Sequence, residues 1–143
     1  MKLIIAGTDG SETAERAVAA AADLTKAVNG TLLVVNAGEH RFSNAEQLIL
    51  ERFRVTEGDT LEEMSLRTLK AARALAQARG VVSAETMSAG GDPVETLISI
   101  AHAKHADALV VGRRGRGRLS GLLLGSVSQK LAMLAPCMVI IVP

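Results

Sequence analysis

The sequence predicts a single α/β domain built on an open parallel sheet with helices on both faces. Short apolar runs rich in β-branched residues, such as KLIIAGT, TLLVVNA, ALVVG and CMVIIV, alternate with segments of helical periodicity. Runs that are apolar on both faces are typical of parallel strands covered by helices, which are joined by right-handed crossovers. The length of 143 residues fits one domain, residues 1–143, with a substantial core.

The strand KLIIAGT opens the predicted sheet and leads into the first helix. This helix begins after Ser11, its apolar residues recur at three- and four-residue steps, and Gly30 ends it. TLLVVNA is the second strand. The segment from Gly38 to Asp59 is polar and weakly periodic, so we expect a long excursion with one short helix from about Ala45 to Phe53.

A longer helix is predicted from about Thr60 to Arg79, with Gly80 as its C-terminal cap. The residues predicted for its inner face are Leu61, Met64, Thr68, Ala72 and Leu75. VVSAETMSAG is more polar than the other strands, which favours a place near an edge. The next helix begins at Pro93, a residue suited to a first helical turn. After the strand ALVVG, the last helix runs from about Ser126 to before Pro136, and CMVIIV ends the sheet.

Composition excludes several classes of partner. Sixteen basic and fifteen acidic residues give a net charge of +1, so attraction to a polyanion has to be local. Two Phe and no Tyr or Trp leave almost no stacking platform for single-stranded nucleic acid.

No apolar run approaches the ~20 residues that cross a bilayer, and the N-terminus lacks the features of a secretory signal, so we expect a cytoplasmic protein. The single cysteine, Cys137, fits a reducing compartment.

Glycine and arginine are concentrated in GRRGRGRLSGLLLGSVSQ, which follows the fourth strand. Ligands of open parallel sheets lie beyond the carboxyl ends of the strands. Gly112 there allows close approach of a ligand. Gly115 is predicted either to adopt positive φ or to allow close approach of phosphate, in a turn whose N–H groups bind an anion. Gly125 and Ser126 open the last helix, whose N-terminus also favours phosphate, and the hydroxyls of Ser126 and Ser128 offer two donors.

Two other interpretations of this segment stay open. Ser126 and Gln129 form S-x-x-Q, so Ser126 can serve as a helix cap alone. The four arginines of the segment can form an ordinary solvated face; they are Arg113, Arg114, Arg116 and Arg118. Neither the P-loop motif nor the dinucleotide motif G-x-G-x-x-G is present.

The segment resembles the motif G-x-x-G-x9-G-[ST] of the ATP-binding universal stress proteins. Gly112, Gly115, Gly125 and Ser126 fit its spacing. The flanks DALVVG and APCMVIIVP are similar to those of the family, as is IIAGTDGSETAERAV with Asp9 at the expected position. The likeness covers nearly the whole chain.

The resemblance implies a Rossmann-like fold of the adenine nucleotide alpha hydrolase type, with strand order 3-2-1-4-5. It implies ATP, or AMP or ADP, at the ends of the first and fourth strands, with Mg²⁺ or Mn²⁺. The implied ligand contacts are Thr8, Asp9, Val35, Gly112, Arg113, Gly115, Arg116, Gly125, Ser126, Val127 and Ser128. Asp9 would contact the ribose or the metal, and the backbone of Val35 the adenine edge. Asn36 departs from the family, since an apolar residue is common there.

Three functions are carried forward from this resemblance. The first is a nucleotide-responsive regulatory protein of the stress response, which forms a homodimer through the C-terminal strand. The second is a slow ATPase or phosphotransferase that uses Asp9 and a bound metal. The third is a dimeric interaction protein without nucleotide. No general base is assigned near the loop, so binding is favoured over turnover.

Residues outside the glycine segment offer weaker candidates. His102 and His105 stand three apart on a predicted helix, but no third ligand accompanies them, so we interpret them as a surface pair. Cys137 is predicted to be an inert thiol in a buried strand. A phosphoryl-accepting role for Asp9 lacks the clustered carboxylates and the lysine that this chemistry needs.

Overall fold

The structure, a computed structural model, describes residues 2–38, 42–115 and 123–143. Within them the strands are β1 (Leu3–Gly7), β2 (Thr31–Ala37), β3 (Glu85–Ala89), β4 (Ala108–Gly112) and β5 (Met138–Val142). The helices are α1 (Glu12–Ala27), α2 (Asn44–Arg52), α3 (Glu57–Ala78), α4 (Pro93–Ala103) and α5 (Ser126–Leu134). All neighbouring strands are parallel, in the order β3-β2-β1-β4-β5, which confirms the predicted sheet. No helix in these segments is both long and apolar enough to span a bilayer.

Two apolar cores lie on opposite faces of the sheet. Because successive side chains of a strand point to opposite faces, Ile4 and Ala6 of β1 pack in one core and Ile5 packs in the other. The first core contains buried residues of α1 and α3, and the second contains those of α4 and α5. The prediction of helices on both faces is therefore confirmed.

The order of the strands creates a switch point between β1 and β4. From β1 the chain proceeds outward to β2 and β3, and α4 then returns it to β4 on the other side of β1. In open parallel sheets, the carboxyl ends of strands that flank such a point border a crevice. This is where the glycine segment leaves β4.

The excursion after β2 is shorter than the sequence predicts. The short helix is present as α2, and none of its residues is buried. However, α3 begins at Glu57 rather than near Thr60, because the side chain of Thr56 caps it and accepts a hydrogen bond from the Asp59 N–H (3.0 Å). At the other end, Gly80 follows α3 with φ of +96°, as predicted for a glycine that ends a helix.

The inner face of α3 is shifted relative to the predicted stripe. Its buried residues are Ser65, Leu69, Ala72 and Ala76. Of the five predicted residues, Ala72 is buried and the other four are partly buried, with Leu75 packed against the first core. The apolar pattern alone favoured the neighbouring stripe because Ser65 is polar. The hydroxyl of Ser65 can be buried because it keeps two hydrogen-bond partners, Asn36 and Ser88.

The positions of His105 and Cys137 relative to the helices and strands differ from the predicted ones. α4 ends at Ala103, so His105, with φ of +52°, lies beyond the helix that was expected to carry both histidines; both are exposed. Cys137 precedes β5 rather than lying in it and is half-buried, and this burial raises the pKa of its thiol.

Candidate ligand-binding site

A cleft opens at the carboxyl ends of β1 and β4. Its volume of about 260 Å³ is close to the lower end of the ~300–1,000 Å³ typical of small-molecule pockets. Among the described residues it is lined by these members of the predicted site: Thr8, Asp9, Val35, Gly112, Gly115, Gly125, Ser126, Val127 and Ser128. Arg113 does not line it, and Arg116 lies outside the described residues, as does Arg118. The fold thus brings the N-terminal and C-terminal motifs together.

The end of β1 forms one corner of the cleft. The Thr8 N–H donates to the carbonyl oxygen of Val35 (2.9 Å), and the Gly10 N–H donates to Thr8 Oγ1 (3.2 Å). Asp9 Oδ1 accepts from the Ser11 N–H (2.9 Å), which turns the chain into α1. This turn needs the positive φ of Gly10, +78°. The carboxylate of Asp9 is therefore held at the start of α1.

The two ends of the glycine segment are fastened together. The carbonyl oxygen of Arg113 accepts hydrogen bonds from the Gly125 N–H (2.8 Å) and from Ser128 Oγ (2.9 Å). The carbonyl oxygen of Arg114 accepts one from Thr13 Oγ1 of α1. Ser128 is only 2% exposed, so its hydroxyl supports the loop rather than reaching toward a ligand, which corrects the role predicted for it as a free donor.

Gly112 is required by the packing of α1. A Cβ at this position would lie 2.7 Å from Thr13 Oγ1 and 2.8 Å from the Thr13 carbonyl carbon. The sequence predicted that the missing side chain makes room for a ligand. The space is instead occupied by the first turn of α1, which approaches the end of β4 closely.

Replacing Gly112 with alanine is expected to destabilise the fold, because the backbone of α1 has to move. Overpacking of this kind costs about 1–3 kcal/mol, which lowers the Tm by roughly 2–10 °C for a domain of this size. Thermal melts followed by circular dichroism measure the change. Gly90→Ala is the matched control, since nothing lies within 4 Å of its Cβ position. Equal Tm values for the two variants would contradict the packing role.

Gly115 is also a position of close approach, and its φ is not positive, which excludes the first of the two reasons predicted for a glycine here. A Cβ here would lie 2.7 Å from Asp9 Oδ2. The loop therefore passes directly over the carboxylate of Asp9. This contact joins the first and fourth strand ends within the cleft.

The N-terminus of α5 differs from those of the other helices. α1, α2, α3 and α4 are each capped by a side chain; the caps are Ser11, Ser43, Thr56 and Asp92. α5 begins after Gly125 with no side-chain cap and no acidic residue in its first turn. The capping interpretation of Ser126 is therefore wrong, because Ser126 is the first residue inside the helix. The residues of its first turn, Ser126, Val127 and Ser128, line the cleft, where an anion would satisfy free N–H groups of the helix N-terminus.

Arg114 brings positive charge to the same cleft. It lines the wall beside Gly115, and its Nε is buried with no hydrogen-bond partner in the described structure. Arg113 also has a buried, unpartnered Nε, but it leaves the end of β4 on the side of β5, where its N–H donates to the Val142 carbonyl oxygen (2.7 Å). The sequence did not distinguish the two arginines, which both follow the end of β4.

The remaining wall of the cleft is apolar. It is formed by Ala14, Val35, Ala37, Pro93, Leu97, Val111 and Val127. Pro93 of α4 was predicted only as a helix start, and the sequence did not assign Leu97 of the same helix to the site. Their position at the crevice follows from α4 crossing back over the sheet, which the helical pattern does not reveal.

Asp9 is the one acidic residue among the described residues that line the cleft. No three His, Cys, Asp or Glu side chains lie close enough to hold a metal ion in residues 2–38, 42–115 and 123–143. A cation here would have to bring most of its ligands with it, as Mg²⁺ does when phosphate oxygens and water coordinate it.

Comparison with known proteins gives matches over the whole chain. A model of the universal stress protein family matches residues 1–143. The "universal stress protein in QAH/OAS sulfhydrylase 3'region" of Thermus aquaticus is 36% identical over 149 residues, covering 99% of this chain and 98% of that protein. Universal stress protein YxiE of Bacillus subtilis is 32% identical over 146 residues, covering 99% of this chain and 97% of that protein.

A solved structure extends this similarity to the fold. The crystal structure of a universal stress protein in complex with cAMP has a TM-score of 0.74 and 30% sequence identity to this chain. The match covers 99% of this chain and 97% of that one.

Proposed function

Because the chain belongs to the universal stress protein family, we propose that it is an adenine-nucleotide-binding regulatory protein of the stress response, with ATP as its ligand. The observation that carries the proposal is the uncapped N-terminus of α5, which faces the cleft beside Arg114. Free N–H groups and the helix dipole attract an anion, and the guanidinium adds donors and a full positive charge. A phosphate group matches both.

The apolar wall supports an adenine base as the other part of the ligand. Val35 and Ala37 at the end of β2, with Leu97 from α4, offer a surface for a flat heterocycle, and the backbone of Val35 offers polar groups at its edge. The related structure with cAMP holds a ligand that combines adenine, ribose and a phosphate. An adenine nucleotide therefore suits the residues that line the cleft, and it is the class of ligand bound in the related structure.

The phosphate contacts proposed here involve the backbone N–H groups of Ser126 and Val127, with Arg114 beside them. Gly125 would contribute close approach, because its own N–H is bonded to the carbonyl oxygen of Arg113. Asp9 would accept hydrogen bonds from ribose hydroxyls or bind a divalent ion, Mg²⁺ or Mn²⁺, that enters with the nucleotide. Such an ion would neutralise charge on the phosphates. Ser128 and Arg113 act through the shape of the loop, because their hydrogen bonds fasten its two ends.

Two further properties are part of the proposal. Within the described residues the outer edge of β5 has no neighbouring strand, which suggests a homodimer. A single cysteine, which has no partner for an intrachain disulfide, suits the cytoplasm. Nucleic acid is not proposed as a partner, since the charge is nearly balanced and aromatic residues are few. The downstream protein that responds to the nucleotide-bound state is not specified by the cleft.

Slow ATP hydrolysis or phosphotransfer is the second candidate function. Asp9 favours it, as the one acidic side chain among the described lining residues. One of its oxygens accepts from the Ser11 N–H and the other is covered by Gly115, so neither is placed as an open general base. Single-turnover assays with labelled ATP separate the two functions: product formed within one turnover would establish catalysis.

Millimolar ATP with magnesium is expected to raise the Tm of the protein. A ligand that binds only the folded state stabilises it by ~2.7 kcal/mol at a hundred times its Kd, which corresponds to about 5–10 °C here. Differential scanning calorimetry measures the shift, with cAMP, AMP and adenosine compared in parallel. GTP is the control for recognition of the base.

The absence of any shift, together with no heat of binding in titration calorimetry, would contradict nucleotide binding. That outcome would favour the third function, a dimeric interaction protein without nucleotide. A shift with GTP equal to that with ATP would instead retain the phosphate site and reject adenine as the recognised base.

A further inference from the structure

A chain of polar side chains leads from the sheet edge to the end of β1. Asn36 of β2 donates from Nδ2 to the carbonyl oxygen of Thr8 (2.8 Å). Its Oδ1 accepts from the hydroxyl of Ser65 on α3 (2.7 Å), and Ser65 Oγ lies 2.6 Å from Ser88 Oγ on β3. The three side chains come from β2, α3 and β3, and Thr8 follows the end of β1.

The chemistry of Thr8 sets the direction of this chain. A carbonyl oxygen can only accept, so the amide nitrogen of Asn36 has to face it and the amide oxygen has to face Ser65. The hydroxyl hydrogen of Ser65 is then given to Asn36, which leaves Ser88 as the donor to Ser65. Aligned hydrogen bonds of this kind strengthen one another in a buried setting, and Ser65 is 8% exposed.

The chain fixes the strand end where the backbone ladder stops. The pairing of β1 with β2 ends at Gly7 and Val35, so Thr8 is the first residue beyond it. Its N–H still donates to the carbonyl oxygen of Val35, and the side chain of Asn36 holds its carbonyl group. Thr8 is therefore bound to β2 on both sides of its α-carbon. The peptide that leads into Asp9 has its orientation set by Asn36.

We propose that Asn36 is a positioning residue that holds the Thr8–Asp9 corner of the cleft for the nucleoside part of the ligand. The inference rests on the proposed nucleotide binding and adds a residue that does not line the cleft. We assign the nucleoside rather than the phosphates to this corner because of the negative charge of Asp9. Its carboxylate would repel a phosphate but can accept hydrogen bonds from sugar hydroxyls. The phosphates belong with Arg114 and α5.

Asn36→Leu tests this assignment, because it removes the hydrogen bond to Thr8 while keeping the branched shape of the side chain. Titration calorimetry of the full chain with adenosine and with ATP and magnesium gives both affinities, at a temperature where every variant is folded. Loss of one hydrogen bond predicts adenosine and ATP binding about five- to tenfold weaker, by the same factor for both ligands. Arg114→Gln is expected to weaken ATP more than adenosine.

Val81→Ala is the control for a merely structural effect. Val81 is buried in the core shared by α1 and α3, and it precedes β3 at the opposite end of the strands from the cleft. This variant should lower the Tm and leave both affinities unchanged. Asn36→Asp is a second variant for the case in which Asn36→Leu does not fold. It keeps an acceptor for the Ser65 hydroxyl but has no donor for the Thr8 carbonyl oxygen. This variant should weaken the binding of neutral adenosine.

Wild-type adenosine affinity in the asparagine variants, with only the Tm lowered, would overturn the positioning role and leave the proposed function standing. A larger loss for ATP than for adenosine in Asn36→Leu would also overturn it, because Asn36 would then act on the phosphates. Failure of the wild-type protein to bind either ligand would overturn the proposed function itself, and this inference with it.

Discussion

Gly115→Val is expected to abolish nucleotide binding while leaving the fold intact. The first atom of the new side chain would lie 2.7 Å from Asp9 Oδ2, so the carboxylate or the loop has to leave its place. Both line the cleft, and a branched side chain adds further bulk between them. Gly115 is exposed and outside the two cores, so the free energy of unfolding should change little. We expect an affinity for ATP lower by at least about a hundredfold, or ~2.7 kcal/mol.

Titration calorimetry with ATP measures this loss, and a thermal melt without ligand confirms that the variant is folded. Gly90→Val provides the control, because its Cβ position is open and it does not line the cleft. Gly115→Ala should fall between the two, since the far end of the Asp9 side chain can rotate away from a single methyl group. ATP binding by Gly115→Val at wild-type strength would show that the contact between Gly115 and Asp9 does not shape the site.

The fold was predictable because its signals are local and repeat along the chain. β-Branched runs marked the buried strands, and helical periodicity with Gly80 and Pro93 marked the helices between them. The first helix ends at Ala27, earlier than the predicted stop at Gly30, and the residue of positive φ after it is Asn29. The strand order came from the family resemblance, and the structure confirms it. The start of α3 was missed because its first turn is polar and exposed, and a single cap at Thr56 determines where it begins.

The site was predictable as a set of positions but less so as a set of roles. Spacing alone placed Gly112, Gly115 and Gly125 at one strand end, where the structure has them. A side chain at either position would collide with a different residue, which is Thr13 of α1 for Gly112 and Asp9 for Gly115. These partners lie about a hundred residues away in sequence, so no local pattern contains them.

Side chains that act in pairs were the hardest to predict. Ser65 and Asn36 are both polar residues in otherwise apolar stripes, and each is a mismatch when considered alone. Together with Ser88 they satisfy one another between α3 and the sheet. The same holds for Ser128, whose hydroxyl binds the carbonyl oxygen of Arg113. A polar residue at a core position is thus a sign of a partner that only the fold identifies.

Ile141→Lys is expected to convert a homodimer into monomers. β5 pairs with β4 on one side only, and its outer edge has no neighbouring strand in the described structure. The strand MVIIV carries no charge that would discourage pairing, and Met138 at its start is 55% exposed. Val139 and Ile141 are partly buried against the core of α4 and α5, so they are covered only in part by their own chain. A second β5 would complete both the hydrogen bonding and the apolar cover.

Antiparallel pairing of β5 across a two-fold axis brings the residue at the axis, expected to be Val139 or Ile141, near its own counterpart, so the substitution acts twice. Two lysines close to the axis repel by about 1 kcal/mol at 4 Å in water and about 4 kcal/mol near a protein surface, and each also loses apolar contact. Sedimentation velocity at micromolar concentration should show a dimeric wild type and a monomeric variant, with a thermal melt to verify that the variant is folded. Met138→Lys is the matched control, because it adds the same charge at the end of the strand, farther from the residues expected at the axis. A monomeric wild type, or a folded Ile141→Lys that sediments as a dimer, would rule out this interface; dissociation of both variants would move the axis toward Met138.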